Sequence, residues 1–456
     1  MLLDSVFTRF VEQKPFSVMA RAALERMLSA SRLDELFRTH AGVQYERELL
    51  FSQLVEVVAR VVTRVDRSVL KSIESLREVL TVSDEAVYQK LRGVETSVCQ
   101  ALVRDSFREA SQVLRKLKAE DQAWVRGFRT KILDGNSLAA TEHRIAELRT
   151  IWDAPLPGRT LVVWDQMTRL VCDEFLSECG HAQERSLLGQ VLETVAARDL
   201  WIADRNFCTL GFLFGLWIRK ARFVIRQHGS LVGTPVGKPR LVGQTARGEK
   251  VYEQAVVLTH QGQERTVRRI TVHLQTPTRD GDTQLHILTN LTKREASGAK
   301  VAELSQQRWT IEVVFHELTM ALRCEVNTLG DPKAALFVFS VALVLENTLA
   351  MLNGSLRVVH GDEAADELSG DALAYELQRT YEGMMVAIPP EHWLPFATMS
   401  LSEFVKHLKS LAQRVDVIRY RKHRRGPKKP TPARGQYHNG GHASTAKILA
   451  LRNAKT

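Results

Sequence analysis

Two apolar runs of strand character each end on an aspartate, and this repeated device constrains the fold more than any other feature. The first is Lys131-Ile-Leu-Asp134-Gly-Asn136, and the second is Leu200-Trp-Ile-Ala-Asp204-Arg-Asn-Phe207. A third stretch, Ser305 to Leu322, places Ile311, Phe315, Leu318 and Leu322 at the three- and four-residue spacing of an amphipathic helix. Its adjoining face carries Arg308, Glu312 and Thr319. Taken alone, Arg308 and Glu312 read as a surface ion pair of small energetic weight. With two strand-end aspartates upstream, the same glutamate completes a three-carboxylate set of the kind that two-metal phosphoryl transfer requires. Clustered carboxylates repel one another unless divalent cations neutralise them, so metal binding is expected of Asp134, Asp204 and Glu312.

The order of elements around these residues predicts an α/β protein. Residues 1–123 are expected to be a helical N-terminal domain, with helical periodicity through Met27–Phe37 and Leu49–Val65. Ser83-Asp-Glu is a good helix start, and the helix it opens has the look of the second helix of a helix-turn-helix. DNA recognition and plain helical packing are both open for it. Residues 124–415 are expected to form the catalytic domain. A strand at 125–133 is followed by a loop or short helix at Thr141–Arg144, then a hairpin of 160–164 and 169–175. A helix at 186–197, a strand at 200–203, a helix at 211–220 and a strand at 222–226 come next. This is the order of a ribonuclease H-like fold, a mixed sheet flanked by helices. The interval from Asp204 to Glu312 is too long for one connection. Residues 229–290 account for it as a β-rich insertion with strands at 250–259, 265–274 and 283–288, separated by turns such as Pro277–Gly281. Arg265, Arg268 and Arg269 in it could face DNA or an ordinary solvated strand face. Further helices at 329–352 and within 370–415 are expected to close the core.

Charge is distributed unevenly. Of the 63 Lys and Arg, eleven lie between Ile418 and Thr456, where there is no Asp or Glu; the remaining 52 are matched by 52 acids. Residues 416–456 thus read as a flexible basic arm suited to phosphate contacts. Arg421, Lys422, Arg424, Arg425, Lys428 and Lys429 are its candidate DNA-binding residues. The five cysteines are scattered and form no CxxC pair, which argues for reduced thiols and against a zinc finger. The longest apolar run, Ala334 to Leu345, is too short to span a bilayer. A soluble intracellular protein with no membrane partner is expected.

Asp134-Gly-Asn, Asp204-Arg-Asn-Phe and Arg308-Trp-Thr-Ile-Glu312 together resemble the signature of bacterial DDE transposases of the insertion-sequence-four family. The third motif of that family runs Tyr, two residues, Arg, three residues, Glu, six residues, Lys. Arg308 and Glu312 fit it, while Ser305 stands at the Tyr position and Thr319 at the Lys position. The resemblance covers most of the chain. It implies a transposase that binds the terminal inverted repeats of its own element as a homodimer on double-stranded DNA. Such an enzyme cleaves at the ends and joins them to target DNA, in the bacterial cytoplasm at the nucleoid. Its cofactors would be two Mg²⁺ ions, with Mn²⁺ as a substitute. One metal would activate water or the 3′-hydroxyl of the cut end, and the other would stabilise the leaving oxygen.

Arg308, one turn from Glu312, would then hold a phosphate near the scissile bond, a task its forked donors suit. Arg205 is a further DNA-binding candidate, or a plain surface charge. Asp165 rivals Asp134 for the first carboxylate but is expected in the hairpin turn; Asp173 and Glu174 are weaker rivals. Trp309 and Phe207 are expected in the core rather than stacked on a base, and His316 in a partly buried structural role. No phosphate-binding loop of the kind used for ATP is present. Ser305 and Thr319 supply neither an aromatic face nor a cation, which keeps open a catalytically impaired, transposase-derived DNA-binding protein. A nuclease acting on RNA hybrids has only the fold in its favour.

Overall fold

The computed structural model describes residues 5–44, 48–138, 158–278, 281–326, 329–422 and 450. Seven helices come first: α1 Ser5–Gln13, α2 Pro15–Met27, α3 Ala30–His40, α4 Phe51–Val62, α5 Val69–Ser75, α6 Asp84–Gly93 and α7 Thr96–Leu117. Ser83 caps α6 by accepting from the Ala86 N–H at 3.3 Å, as its sequence predicts. Strands β1 Arg129–Ser137, β2 Arg159–Asp165 and β3 Leu170–Ser177 follow. Then come a 3-10 turn Glu184–Leu187, α8 Leu188–Glu193, β4 Asp199–Ala203, a 3-10 turn Arg205–Phe207, α9 Leu210–Ile218 and β5 Arg222–Arg226. Four long strands extend the sheet: β6 Thr234–Gln244, β7 Lys250–His260, β8 Gln263–His273 and β9 Gln284–Thr289. Among the described residues, helices α10 Gly298–Gln306, α11 Trp309–Met320, α12 Pro332–His360, α13 Asp362–Asp366, α14 Gly370–Ala387, α15 Leu394–Thr398 and α16 Leu401–Ala412 follow.

The nine strands among the described residues form one sheet in the order β3-β2-β1-β4-β5-β9-β8-β7-β6. The β1–β4 and β4–β5 pairs are parallel and the others antiparallel. Alternation along the strands divides the core in two. Ile132, Val162, Leu200, Ile202 and Val224 face a large helical layer that includes α7 and α12. Leu133, Leu161, Val163, Trp201, Ala203 and Phe223 face the opposite way, onto α8 and α9. Helices α1–α7 share the first of these cores: Phe51 of α4 lies 5.7 Å from Phe337 of α12, ring centre to ring centre. Gly354 on α12 lies against α7, where a Cβ would collide with Leu114.

Helix α12 is the axle of the helical layer. By length and composition it could cross a membrane, being longer than the apolar run of 334–345, but 83% of its most apolar window is buried within the protein. Asn347, fully buried on it, accepts from the Val171 N–H at 2.8 Å and donates to the Val171 carbonyl and to Ser106 Oγ, both at 2.9 Å. One amide thereby ties β3, α7 and α12 together. Asn347→Leu leaves the Val171 N–H and carbonyl unpaired in the core and is expected to cost roughly 2–4 kcal/mol. Urea unfolding followed by circular dichroism measures this; a loss below 1 kcal/mol, on the order of one ordinary hydrogen bond, would show that water replaces the amide.

Several sequence expectations need correction. Strand β1 runs on through Asp134 to Ser137, because Asp134, Gly135 and Asn136 pair with Val162, Leu161 and Thr160 of β2. Ladder pairing overrides the weak strand propensity of Asp-Gly-Asn. The helix expected at 186–197 shrinks to Leu188–Glu193 behind its 3-10 turn. The region 229–290 contains a further strand, β6, and continues the main sheet through β9 on β5. The continuous helix expected from 305 to 322 is broken at Gln307 and Arg308, where Arg308 N–H and Ile311 N–H make short three-residue bonds to Ser305 and Arg308 carbonyls. The loop expected at Thr141–Arg144 lies outside the described residues.

Candidate active site

The first two carboxylates are brought together by strand register. Parallel strands β1 and β4 pair Leu133 with Ala203, so Asp134 and Asp204 are the next residues on neighbouring strands about 5 Å apart. Asp134 shares the face of Ile132, towards the helical layer; Asp204 leaves the ladder and opens the 3-10 turn Arg205–Phe207. Phe207 anchors that turn in the core, fully buried, as expected.

The third carboxylate arrives on α11, which packs against β1. Arg308 Nη1 donates to Asp134 Oδ2 at 2.7 Å, and Arg308 Nη2 donates to Glu312 Oε1 at 2.7 Å. The supposed surface pair is therefore one half of a bridge that joins helix to strand across 174 residues. Asp134 and Arg308 are mostly buried, with side chains 16% and 15% exposed, and Glu312 is more open at 38%. Burial pushes the Asp134 carboxyl up to about 6; Arg308 and the Gly135 N–H pull it down, while Glu312 and Asp204 push it further up. Burial also opposes the charge on Arg308, but Asp134, Glu312 and Asp204 outweigh it and hold the guanidinium above its ordinary value. All three carboxylates thus act on one cation.

Among the described residues, no three His, Cys, Asp or Glu side chains lie close enough to hold a metal ion together. Arg308 stands between Asp134 and Glu312 instead. The donor set still suits a hard divalent cation, since it consists of carboxylate oxygens that already share a positive charge.

Behind the aspartates lies a group that sequence reasoning missed. Gly135 points away from Asp134, onto the other face of the sheet, where a Cβ would collide with the Glu184 carboxylate. That carboxylate accepts from Arg159 Nη1 at 3.1 Å and from the Asn206 side-chain amide. Arg185 Nε donates to the Asn206 carbonyl at 2.6 Å. The only signals in the sequence were the glycine after Asp134 and the asparagine two residues after Asp204.

Asp165 lies at the far end of the hairpin, paired with Lys131, three positions or about 10 Å down the strand from Asp134. Its Oδ1 accepts from the Thr168 N–H at 3.0 Å and Oγ1 at 2.8 Å, a turn-capping role. Asp173 is engaged by Arg104 at 2.8 and 3.0 Å, and Glu174 is fully buried beside Ser340. Trp309, expected in the core, is 62% exposed, with the Arg308 guanidinium 5.1 Å from its ring centre; the helix break turns it outward. His316 is exposed as well, as is Arg205. Thr319 Oγ1 donates to the Phe315 carbonyl of its own helix at 2.9 Å.

Basic candidates further on are used internally. Arg421 pairs with Glu367 at 3.0 Å, and Lys422 Nζ donates to the Asp366 carbonyl at 2.9 Å, so the arm's first residues belong to the fold. Arg424, Arg425, Lys428 and Lys429 lie outside the described residues. Arg268 donates to Glu253 at 2.8 Å and to the Leu291 and Ala296 carbonyls at 2.9 Å, a buttress within the insertion.

Residues 127–345 match the family model described as Transposase DDE domain. The matched span contains Asp134, Asp204, Arg308 and Glu312 and extends through the whole nine-stranded sheet into α12. The match supports a DDE transposase. No curated protein matches the chain.

Proposed function

We propose that the chain is the transposase of an insertion sequence, of the insertion-sequence-four type. In this reading it binds the terminal inverted repeats of its element, cleaves at the ends and joins the 3′-ends to target DNA. The observation that carries it is the convergence of Asp134 and Glu312, from strand and helix, on Arg308, with Asp204 on the adjacent strand. The order β3-β2-β1-β4-β5, with β1, β4 and β5 parallel, supports a ribonuclease H-like core. We assign residues 124–415 to the catalytic domain, 1–123 to recognition of the element ends and 416–456 to phosphate contacts.

Asp134, Asp204 and Glu312 would hold two Mg²⁺ ions, or Mn²⁺ in their place. When bound, these would activate the attacking water or 3′-hydroxyl and neutralise charge on the leaving oxygen. Asp134, buried on its strand, fixes its carboxylate in a rigid frame, while Glu312 approaches from a helix that packs on that strand. Arg308 gives the site its fixed positive charge and suits a phosphate oxygen of the substrate. No nucleophilic side chain is required. A homodimer follows from the need to pair two ends, and the bacterial cytoplasm is where such an element's DNA lies.

The test is nicking of a supercoiled plasmid carrying the native element ends. The purified chain is expected to cut in Mg²⁺ or Mn²⁺ and to stop when the metal is chelated, and Asp165→Ala is expected to cut like wild type. Binding to the ends without any cutting would favour a DNA-binding relic, to which Ser305 and Thr319 point.

A further inference from the structure

The two aspartates must be held in a fixed relation, within about half an ångström for a working constellation. The sheet achieves this for Asp134, which is paired on β2. It does not achieve it for Asp204, because the β1–β4 ladder ends at Leu133 and Ala203. Beside Phe207 in the core, the pair Glu184-Arg185 holds the turn after Asp204, gripping Asn206 by its side-chain amide and its carbonyl. The same Glu184 carboxylate lies against Gly135, the residue after Asp134, and is held there by Arg159, which pairs with Ser137 of β1. One carboxylate on the back of the sheet therefore touches the chain beside both aspartates.

We infer that Glu184 is a positioning residue that sets the separation of Asp134 and Asp204 by clamping Gly135 and Asn206. It touches neither metal nor DNA. This inference rests on the two-metal reading above, with Asp134 and Asp204 as ligands. Glycine at 135 is then required for contact: any side chain would push the clamp away.

The experiment is Mn²⁺ binding to the full-length chain without DNA, read from the electron paramagnetic resonance signal of free Mn²⁺, alongside a thermal melt. Glu184→Gln keeps the shape but cannot accept from Arg159 and Asn206 with two oxygens. It is expected to weaken Mn²⁺ binding by about 10- to 100-fold, the usual effect of losing a group that orients metal ligands. Gly135→Ala is expected to do the same from the other side of the contact. The double variant Gly135→Ala/Glu184→Ala should bind no more weakly than Glu184→Ala alone, since the two act through one contact. Mn²⁺ binding by Glu184→Gln equal to wild type would overturn the clamp, whatever the melting temperature does. Should wild type itself bind no Mn²⁺, the two-metal reading falls and the clamp with it.

Discussion

Glu312→Gln, Asp134→Asn and Asp204→Asn are each expected to lower the rate of plasmid cleavage by about a thousandfold or more. A bound metal contributes several kcal/mol to the transition state, and each 1.36 kcal/mol is roughly tenfold in rate. The substitutions are nearly isosteric, so the fold is expected to survive, as a circular-dichroism melt will show. For Glu312→Gln the amide oxygen can still accept from Arg308, which separates charge from shape. Retention of activity within about tenfold by any of the three would remove that residue from the reacting set, since general acid–base or metal-ligand roles exceed that range. Asp165→Ala serves as the control that keeps cutting, because Asp165 lies at the turn end of its hairpin and caps that turn.

The second large effect concerns Glu174, on the helix-facing side of β3. Burial pushes its carboxyl up to about 8; Ser340 pulls it down, Asp173 pushes it further up and Arg104 pulls it down. A carboxylic acid whose folded pKa lies above its unfolded value of 4.5 stabilises the fold while protonated. That contribution is complete below pH 4.5 and is lost as pH rises towards 8. At about 1.4 kcal/mol per unit, the stability of wild type relative to Glu174→Gln is expected to fall by roughly 4–5 kcal/mol across this window. Urea unfolding of both proteins at pH 5, 7 and 9, as approximate settings across the acid's titration range, measures it. A constant difference would mean that the carboxyl is ionised throughout and stabilised by its neighbours.

Strand and helix positions near the carboxylates were legible because burial on both faces leaves continuous apolar runs, as in Leu200–Ala203 and Phe223–Ile225. The hairpin was legible because Asp165-Gln-Met-Thr breaks two such runs. Strand β6 was not, since Thr-Pro-Val-Gly-Lys-Pro reads as loop. It is an edge strand with irregular register around Val236 and Arg240, and there prolines lose no ladder bond that the fold needs. The break at Gln307 was hidden because the apolar spacing of Ile311, Phe315 and Leu318 says nothing about where a helix begins. Its consequence, Trp309 turned outward, could not be read from composition, which only says that tryptophan is usually buried. Arg308 was found as a partner of Glu312, but its second bond, to Asp134, is a tertiary contact that no local pattern encodes. Glu184 was invisible for the same reason: its partners are 25 residues upstream and 22 downstream.

The ladder from β5 through β9, β8 and β7 to β6 has one further consequence. It makes the outer ribbon a cantilever bolted to the reactive strands, reaching roughly 20 Å beyond β5 at the usual strand spacing. A load placed on its tip is borne by main-chain bonds rather than by a hinge. Excising 229–290 would do more than shorten this arm: it would strip β9 from β5 and leave a raw edge beside β4, open to pairing with other chains. The extension is thus also the selvedge that keeps the reactive strands from fraying.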